Sequence, residues 1–336
     1  MKFALMNSAF FASITALALA VPAAGQEVPV ADIPTTVDDT PYAPPETVQR
    51  VVTPVVPREE LLKVLIISGE NTYEHDWTGV NNRLRTHLKD TGLFDVRVTE
   101  DFEFGTLAML QKYDVVFLNY ASRWNYGDAQ QKLWSPQAFQ ALYDYVDQGG
   151  GLVAFHSSFT WGFDMPEYRR LLGATMVPGQ SRRSPPDGFR VRMTDADHPI
   201  TRGVRRYVWS FMEDMYTNMS FAPGADVTVL ATGFDDAANY TPELAGPKYD
   251  YEAYSAQNVA RMDGMNAANP LVWVQDYGQG RVFSITLGHG PDTLMFDGVR
   301  TLIVRGTEWA ATGDVTIPPY DKAAAYDIPE EYRTED

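Results

Sequence analysis

The 336-residue chain contains no cysteine, which removes disulfides, thiolate metal sites and a thiol nucleophile together. It is also short of positive charge: 27 Lys and Arg stand against 44 Asp and Glu, a formal net charge of -17. A surface of that sign repels phosphate backbones and anionic lipid, so nucleic-acid binding is disfavoured. Beyond the amino-terminal segment no apolar run is long enough to span a bilayer. What is present is material for a core, with 45% hydrophobic and 21% charged residues and no global signature of disorder.

Lys2 precedes an apolar stretch from Phe3 to Val21, broken only by Asn7, Ser8, Ser13 and Thr15. The small residues Ala18-Leu19-Ala20 and Ala23-Ala24-Gly25 offer cleavage sites. Residues 1–25 therefore read as a secretory signal peptide, with a membrane anchor as the competing reading. The expected location is secreted or periplasmic, with no stable membrane insertion after the signal is removed. Residues 26–60 carry Pro29, Pro34, Pro41, Pro44, Pro45, Pro54 and Pro57, the composition of an extended linker. An α/β domain is expected over 61–313, with an insertion at 235–268 and an irregular tail at 314–336.

Within that domain Lys63–Ser68 is an unbroken apolar run, as a strand covered on both faces requires. A helix over Val80–Lys89, a strand at Phe94–Thr99, a short helix at Leu107–Leu110 and a strand at Asp114–Asn119 follow. Ser135 and Pro136 supply an N-cap and a first-turn proline. Their helix points Phe139, Leu142, Tyr143 and Val146 inward and stops at Gly149-Gly150. The next strand, Gly151–Phe155, ends at His156. Strands alternating with helices through short connections predict a parallel sheet. Strands at Phe189–Met193, Val227–Ala231, Leu271–Gln275 and Val282–Thr286 and a helix near Asp297–Ala311 complete the pattern. Residues 235–268, with Tyr240, Tyr249, Tyr251 and Tyr254, read as a surface insertion.

Ligands of open α/β sheets sit outside the carboxyl ends of the strands. Three of the five histidines, His75, His156 and His289, fall just past such ends, and so does Asn119. A cluster of imidazoles with a carboxylate suits zinc or a similar divalent metal, although no short His-x-x-x-His pair is present. Metal-free proton transfer by the same groups is the alternative. His198, before Pro199, and His87, inside the first helix, read as structural. Ser157 lacks the Gly-x-Ser-x-Gly elbow of a hydrolase nucleophile. Trp77, Trp124 and Trp161, near strand ends, have flat faces on which sugar rings pack, and Arg182 and Arg183 could meet an anionic group.

Lys63–Gly69, Gly149–His156, Asp197-His-Pro-Ile-Thr201, Glu213-Asp-Met-Tyr216 and Gly280–His289, in that order, resemble the ThuA-like, trehalose-utilisation family. The resemblance runs over about residues 61–313. It implies a flavodoxin-like, class I glutamine amidotransferase-like three-layer sandwich with a mostly parallel central sheet. The amidotransferases carry a cysteine nucleophile on the turn after the strand that here ends at Phe155. With His156-Ser157 in its place and no cysteine, thiol glutaminase chemistry is excluded.

The resemblance implies carbohydrate metabolism, with a small-molecule carbohydrate as partner. The expected protein is an enzyme that hydrolyses, eliminates or isomerises a glycoside or keto-sugar. His156, with Glu213 or Asp214, would be catalytic; His75, His156 and His289 would be metal ligands. Trp77, Asn119, Trp124, Ser157, Trp161 and Tyr216 would line the substrate site. Either carboxylate of the Glu213-Asp214 pair can face the pocket. A non-catalytic sugar-binding protein and a metal-dependent hydrolase of a non-sugar substrate are the competing readings. No oligomeric state follows from the sequence.

Overall fold

The structure, a computed structural model, describes residues 60–69, 75–121, 134–240 and 262–320. The signal-peptide and linker segments, Trp124, most of the 235–268 insertion and residues 321–336 lie outside the described residues.

The central sheet has nine strands: β1 (Leu62–Gly69), β2 (Phe94–Thr99), β3 (Val115–Tyr120), β4 (Gly151–Phe155), β5 (Asp187–Met193), β6 (Tyr207–Glu213), β7 (Thr228–Asp235), β8 (Ala267–Tyr277) and β9 (Gly280–Ile285). Their spatial order is β2-β1-β3-β4-β9-β8-β7-β5-β6. The first five strands of that order pair in parallel. The pairings from β9 across to β6 are all antiparallel. Only β8 and β5 run against the other strands, so the sheet is mostly parallel in direction while half of it is an antiparallel extension.

Among the described residues five helices flank the sheet: α1 (Trp77–Asp90), α2 (Leu107–Leu110), α3 (Pro136–Asp147), α4 (Pro166–Leu172) and α5 (Asp297–Thr312). Alternate residues of β1 feed separate cores, because successive strand side chains point to opposite faces. Val64 and Ile66 pack with Val80, Leu84 and Leu88 of α1 and Leu302 and Ile303 of α5. Leu65 and Ile67 pack with Leu110 of α2, Phe139 and Leu142 of α3 and Leu171 of α4. Each such apolar side chain contributes roughly 1.5–3 kcal/mol on burial. The result is the expected three-layer sandwich.

The helix starts follow local chemistry. Asp76 caps α1 by accepting the Gly79 N–H at 2.9 Å, and Ser135 caps α3 with Pro136 in its first turn. Two expectations change. In α3 the side chain buried alongside Phe139, Leu142 and Val146 is Tyr145, whereas Tyr143 stays half-buried. Strand β6 was not expected, because its run Tyr-Val-Trp-Ser-Phe-Met-Glu is an edge strand without a continuous apolar stretch. The antiparallel half also turns back over α5: a Cβ at Gly298 would lie 2.5 Å from Val208. This curl returns the end of β6 to the end of β9. Among the described residues no helix is long and apolar enough to cross a membrane.

Candidate active site

His156 directly follows β4 and opens a single helical turn at 156–159. Its φ of 29° is a left-handed value that costs a residue bearing a Cβ roughly 1–3 kcal/mol. The strained strand–turn–helix junction places the ring at the sheet end.

The two nitrogens of His156 face different surroundings. Nδ1 lies 2.6 Å from the Thr286 carbonyl. A carbonyl only accepts, so Nδ1 carries the proton and the neutral ring presents Nε2 as a lone pair. Burial pushes the imidazole well below its usual pKa, and His75 and His289 add to that, while Asp214 pulls the other way. At Nε2 the His75 Nε2 stands at 3.0 Å and the Tyr216 hydroxyl at 2.9 Å. Asp214 Oδ1 is 3.7 Å away. One lone pair thus faces three polar atoms, more than a single nitrogen serves by hydrogen bonding.

Adjacent strand residues ordinarily point to opposite faces, yet Glu213 and Asp214 are both buried here, at 0% and 1% exposure. The strand ends at Glu213, so Asp214 is released from the alternation, and Met212 just before them has φ 55°. The pair then divides its work. Glu213 accepts the Gly288 N–H at 2.6 Å and the His289 N–H at 3.1 Å, on the Nδ1 side of His156. Asp214 turns to the Nε2 side. Its two oxygens and His289 Nδ1 are buried without a hydrogen-bond partner among the described residues. Oδ1 and that Nδ1 are only 3.0 Å apart, within ion-pair reach but off hydrogen-bonding alignment.

Burial, and next the Asp214 charge, push the Glu213 carboxyl well above the usual carboxylate range against the pull of the Gly288, His289 and Asp214 amides. Burial would raise Asp214 too, but contact with His289 and the charges of His156, His289 and Arg183 outweigh it and hold that carboxyl low. Arg183 Nη1 stands 3.6 Å from Asp214 Oδ2. It is held there by the two-residue ladder that sets Arg183 opposite Tyr216.

His75, His156 and His289 offer ligand nitrogens that all lie within 4.8 Å of one another, and His156, Glu213 and Asp214 form a second such group. Asp214 borders the imidazole group as well, 3.0 Å from His289 Nδ1 and 3.7 Å from His156 Nε2. Two nitrogens bound to one tetrahedral zinc at about 2.0–2.1 Å stand roughly 3.3–3.4 Å apart, a few tenths of an ångström more than the 3.0 Å between His75 and His156. Glu213 fits less well, because both its oxygens already accept amide protons.

The remaining expected site residues are spread more widely. Tyr216 is in the cluster, and Ser157 adjoins it with a buried hydroxyl that makes no hydrogen bond among the described residues. Trp77 is half-buried in the first turn of α1. Asn119 donates to Asn81 Oδ1 at 2.9 Å, and Asn81 donates to Ser68 at 3.0 Å, so its amide ties α1 to the strand ends. Trp161 is corrected outright: it is 0% exposed, donates to the Tyr120 carbonyl and packs on Tyr168 at 4.4 Å. No face of it is left for a sugar. His198 binds its own turn and lies on Trp309; His87 is buried against the Leu294 carbonyl. Two participants were missed. The Thr286 carbonyl, which fixes the tautomer, has no side-chain signal. Gly288 did have one, as the glycine before a strand-end histidine.

An α/β sandwich with a histidine at the elbow after its central strand is a class I glutamine amidotransferase-like fold without the amidotransferase nucleophile. The chain belongs to the ThuA, trehalose utilisation, family, whose model matches residues 63–310. Among solved structures it is similar to a ThuA-like protein from Parabacteroides merdae, with 22% identity and a TM-score of 0.61 over 82% of this chain and 96% of that one. A ThuA-like protein from Bacteroides uniformis is 18% identical, with a TM-score of 0.54 over 79% and 98% of the two chains. At these identities the likeness concerns the fold. No curated protein matches.

Proposed function

We propose that this protein is an exported enzyme acting on a sugar derivative, with His75, His156, His289 and Asp214 as the ligands of a divalent metal at its reaction centre. One observation carries the reading. Among the described residues both oxygens of buried Asp214 and Nδ1 of His289 lack an aligned hydrogen-bond partner, their nearest contacts being the ion pairs with each other at 3.0 Å and with Arg183 at 3.6 Å, beside two imidazole nitrogens 3.0 Å apart. Buried polar atoms are ordinarily satisfied, and a cation between these four groups would satisfy them at once. Three imidazoles and one carboxylate suit zinc, iron, cobalt or nickel better than magnesium or calcium.

A bound metal would supply Lewis acidity toward a substrate oxygen and lower the pKa of a bound water. The protein's own part is orientation. The Thr286 carbonyl holds the His156 tautomer, as partners behind metal-bound histidines do, and Tyr216 offers a hydroxyl at the same nitrogen. His289, 27% exposed, marks the open side of the cluster. The family and the signal-like amino terminus support the carbohydrate and export parts of the proposal.

The Tyr216–His156 hydrogen bond favours a second reading, in which neutral His156 acts as a metal-free base. Turnover of a panel of glycosides and keto-sugars, with and without a chelator, separates the two. Loss with chelator and recovery with one added metal support the first reading. Chelator-resistant turnover that vanishes in His156→Ala supports the second. Turnover unchanged in His156→Ala contradicts both.

A further inference from the structure

Glu213 is fully buried and stands beside the cluster, yet its carboxylate is directed away from it. Both oxygens accept backbone amides of the β9 exit, Oε2 from Gly288 at 2.6 Å and Oε1 from His289 at 3.1 Å. The exit is confined from other sides as well. Gly288 has φ 128°, and a Cβ there would lie 2.0 Å from the Phe155 ring. Thr293, further along the same connection, donates to the Met212 carbonyl at 3.1 Å. The end of β6, which carries Asp214, and the end of β9, which carries His289, are therefore fastened to each other at Glu213 and at Met212 just before it.

We propose that Glu213 is a positioning residue: its carboxylate clamps the Gly288–His289 backbone and thereby sets the His289 imidazole against Asp214. Asp214 follows the edge strand β6 and His289 follows β9 in the middle of the sheet, four strands apart in the sheet order, so no ladder hydrogen bond fixes their separation. The clamp does. Two amides of one short segment, bound to the two oxygens of one planar carboxyl group, fix its orientation as well as its distance, which suits a separation that must hold within a fraction of an ångström. The site assignment of Asp214 and His289 rests on the metal reading above; the clamp itself rests on the Glu213 hydrogen bonds.

The decisive substitution is Glu213→Gln. It keeps the size of the side chain but turns one acceptor into a donor facing an amide N–H. In metal-free protein, long-range proton–nitrogen NMR of the imidazoles is expected to show the His289 ring signals moved and those of His75 in place. Titration with Co2+ is expected to give a 10–100-fold weaker affinity, the usual cost of losing a partner behind a ligand, with a changed visible spectrum. Unmoved His289 signals, or an affinity within twofold of wild type, would overturn the clamp. If the variant does not fold, amide exchange in the wild-type protein decides: slow exchange at both Gly288 and His289 supports the clamp, and exchange at solvent rates refutes it. Should the wild-type protein take up no Co2+, the metal reading fails, while the ring signals still judge the clamp.

Discussion

Arg305 and Asp214 are both charged side chains removed from solvent, at 4% and 1% exposure, and their surroundings treat them in opposite ways. The Arg305 guanidinium donates to the carbonyls of Ile200 at 2.6 Å, Pro199 at 2.6 Å, Arg202 at 2.9 Å and Ile317. One turn along α5, Glu308 accepts the amides of Thr316 and Ile317, each at 2.9 Å. This cluster pins the Asp197–Thr201 turn and the segment after α5 onto the helix, and among the described residues it leaves no polar atom of Arg305 or Glu308 buried and bare. The Asp214 cluster leaves three. A satisfied buried cluster holds the fold; a bare one, kept at a strained elbow, holds a place for something else.

The comparison predicts where substitutions are felt. Arg305→Leu strands four carbonyls and is expected to cost about 3–5 kcal/mol of stability in urea unfolding, with or without metal. A loss below 1 kcal/mol would show that satisfaction of that cluster does not hold the fold. His87 gives the next effect. Burial first, then the Arg300 and Arg83 charges, lower its pKa from 6.5 to about 4, against the Leu294 hydrogen bond. Below pH 6.5 the unfolded chain takes up a proton that the native state refuses. Stability is therefore whole above that pH and falls as the pH drops toward 4, by something on the order of 3 kcal/mol. His87→Gln, which can still donate to the Leu294 carbonyl, is expected to flatten that slope; an unchanged slope would assign it to other groups.

Metal addition sharpens the contrast from the other side. At a hundred times the Kd, Zn2+ is expected to stabilise the wild-type protein by about 2.7 kcal/mol. Thermal unfolding of His75→Ala and Asp214→Asn should show no such gain, whereas Arg305→Leu, where folded, should keep it. The smallest effect belongs to Tyr216→Phe, which loses one hydrogen bond to His156. It is expected to cost about 0.5–1.5 kcal/mol in metal-free protein, and less once a cation occupies the Nε2 lone pair. Equal losses in both states would place the hydroxyl outside the cluster.

Much of this arrangement was legible in the sequence because it follows short-range rules. Continuous apolar runs marked the parallel strands, Ser135-Pro136 marked the start of α3, and strand ends marked His75, His156 and His289. The antiparallel half was harder. The edge strand β6 mixes Tyr207, Trp209 and Ser210, so no period gives it away, and its curl over α5 depends on contacts remote in sequence. The choice between Glu213 and Asp214 also lay beyond the sequence. It turns on the strand ending at Glu213 and on amides contributed from another strand's exit. Trp161 was misread because proximity to a strand end does not say whether an aromatic faces out or in.

The central claim is that the bare atoms around His156 bind one cation. Anomalous diffraction from crystals of untagged protein, soaked in Zn2+ and measured across the zinc edge, tests it most directly. The account predicts a single peak at about 2.0–2.2 Å from His75 Nε2, His156 Nε2, His289 Nδ1 and an Asp214 oxygen. Absence of a peak at that position, with Asp214 and His289 still bare, would contradict it.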